Sequence, residues 1–326
     1  MVNAPKITTK DYVKFLIASP NNFTCTEAAR TQPEETDAAH DAYTRLLQRL
    51  PDNTNLLWEE SKELITFKGL LLIDDSVLDK PFANKMELVS YHWSGRHHRV
   101  VKGIDLITAL WTNGKRIVPM DFRLYNDLEG KTKNDYFCEL IRVARDRQLH
   151  PEYVGFDSWY SGLENLKLIR TLGWQWITRF KENRMINPDG KKNGNVNISK
   201  VEIPENGRIV HLKGYGYVKV FKFGSEERDV EYWATSDLKM TTEKWIDLKG
   251  KTWKIEEYHR GIKQCCGVED SQLQTAQGQK SHILLSILAF LKLEWQRIKI
   301  GISWYEIKTA ITRNAVRLFM TKPLIF

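Results

Sequence analysis

Gly69-Leu70-Leu71-Leu72-Ile73-Asp74-Asp75-Ser76 is a short apolar run that stops abruptly in two acids. A central strand buried on both faces reads this way when it delivers carboxylates to the edge of a sheet. Residues 106–112 and 116–124 predict two more strands, joined through Asn113-Gly114, a strong hairpin dipeptide. A helix over 135–147, a strand over 153–156 ending in Asp157, a helix over 163–172 and a strand over 174–180 follow. This order predicts an α/β fold, a mixed sheet flanked by helices. In such a sheet the first and fourth strands can lie side by side, which brings Asp75 and Asp157 together.

The flanking segments differ in character. Residues 1–66 read as a helical domain, with segments near 10–18, 26–30, 35–50 and 55–65. Thr24 is placed to cap the short helix at 26–30, and Pro33 breaks the pattern before a longer one. That is compatible with a DNA-binding helix-turn-helix, and equally with a small bundle that touches no DNA. Between Asn183 and Asp237 the helical period disappears. There Gly190, Gly194, Gly207, Gly214, Gly216 and Gly224 punctuate short β-branched and aromatic runs, predicting a β-rich insertion over 183–245. The insertion divides the α/β core into 67–182 and 246–300, and a last helix lies within 301–326.

A chain of 326 residues with 42% hydrophobic and 28% charged residues can bury a sizeable core and is not a disordered protein. Its net charge of +8 favours an acidic partner such as nucleic acid. The opening residues lack the apolar segment of a secretory signal, and the apolar stretch 283–291, interrupted by Ser286, is about half a membrane span. Both point to the cytoplasm and away from a membrane. Cys25, Cys138, Cys265 and Cys266 show neither a disulfide framework nor zinc-site spacing, and read as structural.

The segment Trp253-Lys254-Ile255-Glu256-Glu257-Tyr258-His259-Arg260-Gly261-Ile262-Lys263 predicts one amphipathic helix. At 3.6 residues per turn Glu256, Arg260 and Lys263 share a face, with Trp253 one turn earlier, while Ile255, Tyr258 and Ile262 form an apolar face. Such a helix can present a metal ligand beside a phosphate clamp; it can also be a surface helix with an ordinary Glu256–Arg260 pair. Asp75, Asp157 and Glu256 stand out together as carboxylates at the ends or starts of elements. Converging carboxylates repel one another, and a hard divalent cation relieves that repulsion. Two such ions roughly 4 Å apart can activate a water on one side of a phosphodiester and stabilise the leaving oxygen on the other.

The motifs Leu72-Ile73-Asp74-Asp75-Ser76-Val77-Leu78-Asp79-Lys80, Phe156-Asp157-Ser158-Trp159-Tyr160-Ser161 and Trp253-x-Ile255-Glu256-Glu257-Tyr258-His259-Arg260-x-x-Lys263 carry a family resemblance. In this order they resemble the DDE transposases of bacterial insertion sequences, in particular the insertion-sequence-four superfamily, over roughly residues 67–300. The resemblance implies a ribonuclease-H-like core with a β insertion ahead of the catalytic glutamate. It implies Asp75, Asp157 and Glu256 as catalytic metal ligands for Mg²⁺, with Mn²⁺ able to substitute and two ions bound. Asp75 is preferred over Asp74 on the family's habit of placing the ligand before a small hydroxyl residue, since the strand is read as ending there. Lys263 is the basic residue that follows the glutamate.

The implied activity is cut-and-paste transposition: binding of terminal inverted repeats in double-stranded DNA, metal-dependent cleavage and strand transfer, with a homodimer in the DNA complex. Lys263, Arg260, Lys254, Arg96, Arg99 and Trp253 are the candidate DNA contacts, and Trp233, Trp245 and Trp253 the candidates to stack a flipped base at a hairpin intermediate. The family signature has a tyrosine and an arginine seven and four residues before the glutamate, where this chain has Lys249 and Thr252. Lys251 and Lys254 are the expected replacements. The rival readings are a DNA-binding regulator of transposition that has lost catalysis and a ribonuclease-H-like nuclease without strand transfer.

Overall fold

The apolar run at residues 69–73 opens a strand, β1 (Leu70–Asp79), that does not stop at its acids as expected. Ser76, Val77 and Leu78 stay in register with a neighbouring strand, and that pairing carries the chain past the carboxylates. The computed structural model describes residues 5–66, 68–95, 97–190, 194–224 and 230–322. Arg96 lies outside the described residues.

After β1 come β2 (Ser90–Ser94), β3 (Arg99–Thr112) and β4 (Ile117–Leu124). The helix α5 (Lys133–Asp146) separates them from β5 (Tyr153–Phe156) and β6 (Gln175–Phe180). β7 (Met185–Ile186) and β8 (Val196–Asn197) form a small ladder of their own. β9 (Arg208–Leu212), β10 (Gly216–Phe223) and β11 (Glu231–Thr235) complete the strands. The central sheet has the order β2-β3-β1-β5-β6-β11-β10-β9, with β4 also on β3. It is mixed: β1, β5 and β6 run parallel, and the other pairings are antiparallel. The β-rich stretch thus extends the edge of the same sheet through β11 against β6.

The helices are α1 (Thr9–Ala18), α2 (Cys25–Arg30), α3 (His40–Arg49), α4 (Asn55–Ser61), α5 (Lys133–Asp146), α6 (Leu163–Thr171), α7 (Thr242–Thr252), α8 (Lys254–Cys266), α9 (Ala276–Ile300) and α10 (Trp304–Thr321). The longer helix expected over 35–50 is shortened because Asp37 takes a left-handed conformation after a 3₁₀ turn. Capping boxes, Thr8 with Asp11 and Thr132 with Asp135, start α1 and α5.

Alternation along β1 divides the core. Leu70 and Leu72 join a cluster with Ile255, Tyr258 and Ile262 of α8 and the apolar length of α9. Leu71 and Ile73 join a second cluster on the opposite face, with Tyr136, Phe137 and Leu140 of α5 and Leu166 and Ile169 of α6. Helices α1, α3 and α4 pack on α9, so the amino-terminal helices share the first cluster. Gly261 lets α8 lie close on α9: a Cβ there would stand 2.7 Å from the Phe290 ring. No helix among the described residues is long and apolar enough to cross a membrane, and the four cysteines are free thiols.

Candidate active site

The parallel register of β1 and β5 sets Leu72 against Gly155 and Ile73 against Phe156. Continued one step, it brings Asp74 to Asp157, where β5 ends. Both acids fall on the sheet face of Leu72 and Gly155, the face that α8 covers. Glu256 stands in the first turn of α8, which follows α7 directly with Trp253 between them. Asp74, Asp157 and Glu256 line one cleft of about 150 Å³ with Gly155, Thr252 and Trp253.

Asp75 does not line this cleft. Alternation turns it to the α5 face, where Tyr160 Oη donates to Oδ1 at 2.7 Å and Lys133 Nζ donates to Oδ2 at 2.8 Å. Lys133 Nζ also lies 2.5 Å from the buried Asp105 carboxylate, so one ammonium bridges two acids. The preference for Asp75 presumed a strand that ends at the acids; since β1 runs on, strand alternation applies and sets Asp74 beside Asp157.

The electrostatics follow from this crowding. Burial, and then the charges of Asp75, Asp157 and Glu256, hold the Asp74 carboxyl well above the usual range. Burial and the Asp75 charge also raise Asp157, against hydrogen bonds from the Trp159 and Tyr160 backbone N–H groups and the charge of Arg179. Among the described residues no three His, Cys, Asp or Glu side chains form a finished metal cage. The donor chemistry nevertheless fits a hard divalent cation: oxygen ligands only, with charges that destabilise one another until a cation joins them.

The predicted DNA contacts are dispersed. Lys263 donates to Val77 O at 2.6 Å and pairs with Glu269 at 2.8 Å, so it braces α8 against β1. Lys254 is held by Glu257 at 2.8 Å, and Lys251 by Asp247 at 2.5 Å. Arg260 and Arg99 are exposed, and Trp253, 55% exposed, lines the cleft. Trp245 is buried and stacked on Phe221 with ring centroids 4.8 Å apart, and Trp233 is buried except where it meets the cleft.

Two residues of the cleft, Arg179 and Glu231, escaped sequence reasoning. Arg179, Glu231 and Lys249 line the cleft, and Lys249, at the place of the signature tyrosine, pairs with Glu231. Trp159, two residues after Asp157, is 57% exposed, with Lys133 Nζ 5.8 Å and Lys181 Nζ 5.7 Å from its ring. Its position in an acid motif next to a Tyr was the available signal; Arg179 and Glu231 had none.

A mixed sheet that gathers carboxylates on one face beneath a helix-borne glutamate defines the class of protein. The chain belongs to the Transposase DDE domain family, whose profile matches residues 66–291. A comparison with the curated proteins gives no match. Among solved structures it is similar to the piggyBac transposase in a synaptic complex with hairpin DNA, with a TM-score of 0.53 and 11% identity over 99% of this chain and 74% of that one. Less of the fold is shared with the Mos1 strand transfer complex (TM-score 0.20, 13% identity, 54% of this chain and 59% of that one). The same holds for the Drosophila P element transposase strand transfer complex (0.26, 10%, 60% and 48%).

Proposed function

We propose that this transposase-family protein binds the terminal inverted repeats of an insertion sequence of the insertion-sequence-four superfamily and performs cut-and-paste transposition, with Asp74, Asp157 and Glu256 as its catalytic acids. The observation that carries this reading is the register of β1 and β5, which brings Asp74 and Asp157 together on the face beneath Glu256. The three carboxylates would hold two Mg²⁺ ions, with Mn²⁺ able to substitute. When bound, the cation supplies charge neutralisation and a more acidic water at the phosphodiester.

The protein's own part is positioning and electrostatics. The paired strands hold two acids on a rigid sheet, while the first turn of α8 sets Glu256 above them. Trp253 and Trp159 offer exposed rings to unpaired bases next to the cleft. Arg99 and Arg260 offer charge to the backbone of double-stranded DNA. A homodimer would let two transposon ends be handled at once.

The test is excision and integration on a plasmid carrying the gene's native flanking DNA, with wild type and Glu256→Ala in Mg²⁺ and in EDTA. Metal-dependent excision and joining that vanish in the variant are expected. Binding of the ends without cleavage by wild type would favour a regulator, the reading that Lys249 and Thr252 at the signature positions support. Cleavage without a joined product would favour a nuclease.

A further inference from the structure

Beside Asp157 and Glu256 the cleft is walled by Arg179, Glu231, Trp233 and Lys249. Three donors of different kinds converge on the Glu231 carboxylate. Arg179 Nη1 lies 3.0 Å from Oε1, Lys249 Nζ 2.9 Å from Oε2, and the Trp233 indole Nε1 donates to Oε2 at 3.0 Å. Arg179 stands opposite Trp233 across the β6–β11 ladder and Glu231 shares that face two residues along, while Lys249 reaches in from α7. A carboxylate on a strand is ordinarily answered by one cation across the ladder. Here a guanidinium, an ammonium and an indole N–H surround one oxyanion, the donor set that also suits a phosphate.

The placement gives that set a purpose. A strand of DNA entering the cleft brings phosphates toward carboxylates that repel them, and cations on the adjoining wall offset the repulsion. Lys251 and Lys254 are tied to acids on their own helices, whereas Arg179 and Lys249 already face the cleft. We propose that Arg179, Lys249 and the Trp233 indole form a cradle for a phosphate of the entering DNA strand, and that Glu231 fills this cradle in the DNA-free protein. The proposal rests on reading the cleft as a DNA-processing site. The Glu231 carboxylate is then an internal competitor: DNA displaces it, and it moves to solvent, to which it is already partly exposed.

The experiment is fluorescence anisotropy with a duplex of the native flanking DNA, in EDTA over a salt series, for wild type, Glu231→Gln, Arg179→Gln and the double variant. Removing the competitor should tighten binding about three- to tenfold and steepen the salt dependence, whereas Arg179→Gln should weaken binding and flatten it by about one phosphate contact. The double variant should bind more weakly than Glu231→Gln and more tightly than Arg179→Gln, because Lys249 and the Trp233 indole are freed without Arg179. Weaker or unchanged binding by Glu231→Gln overturns the proposal, because Glu231 would then only hold the cations in place. Glu231→Ala, with thermal melting of each variant, separates that result from misfolding. Tighter binding by Glu231→Gln in a protein that neither cuts nor joins DNA would keep the cradle and sink the transposase reading. Cutting and joining with no gain in Glu231→Gln would do the reverse.

Discussion

Asp74 and Asp75 are adjacent and chemically identical, yet strand alternation sends them to opposite faces of the sheet with different work. Asp74→Asn should lower single-turnover cleavage of end DNA by at least about a thousandfold while leaving folding intact. Asp75→Asn should retain most of that cleavage rate and instead lose about 1–3 kcal/mol of stability, because it weakens the bonds from Lys133 and Tyr160. Cleavage rates and urea denaturation on the two variants check the pair, and the reverse pattern would restore Asp75 as the ligand. That Asp157 and Glu256 could line one cleft was legible because each stands at the boundary of a short, regular element. The choice between the two aspartates was not, since it turns on where β1 ends, and pairing with β3 decides that.

The elements hold the site through close approach. Glu256 rides on α8, and α8 is seated by Gly261 against Phe290 and Trp304, and by Lys263 against Val77 and Glu269. Gly261→Ala places a methyl 2.7 Å from Phe290 and 3.2 Å from Trp304, so α8 must lift or the rings must turn. A loss of about 1–3 kcal/mol in chemical denaturation is expected, with cleavage falling along with it. The helical face of Glu256, Arg260 and Lys263 was readable from its period. That Lys263 spends its charge on Glu269 was not, because its partner comes from the turn after the helix.

Across the whole molecule, the amino-terminal helices are fastened to the core through a buried polar contact. Tyr12 of α1 donates to His282 Nδ1 at 2.9 Å, and His282 Nε2 donates to Gly267 O at 2.8 Å. These bonds suit neutral imidazole, and burial pushes His282 down to about 4. An unfolded histidine titrates near 6.5, so between about pH 6.5 and 4 the unfolded chain binds a proton that the folded one refuses. Stability should therefore fall as pH falls through that window, His282 contributing on the order of 3 kcal/mol by pH 4, and level off for this group below it. His282→Gln should flatten the slope in thermal melts across the window; an unchanged slope would mean His282 is not the group responsible.

The sequence by itself determined the mixed α/β class, the positions of Asp157 and Glu256 at element boundaries, and the basic balance that suits nucleic acid, because periodicity, element ends and charge are local or additive properties. Only the tertiary structure decided that β1 continues past its acids, that the β-rich stretch extends the central sheet, and that Arg179, Trp233 and Lys249 meet at Glu231. Each of these depends on pairing or contact between segments far apart in the chain, where the geometry of the sheet sets which side chains meet.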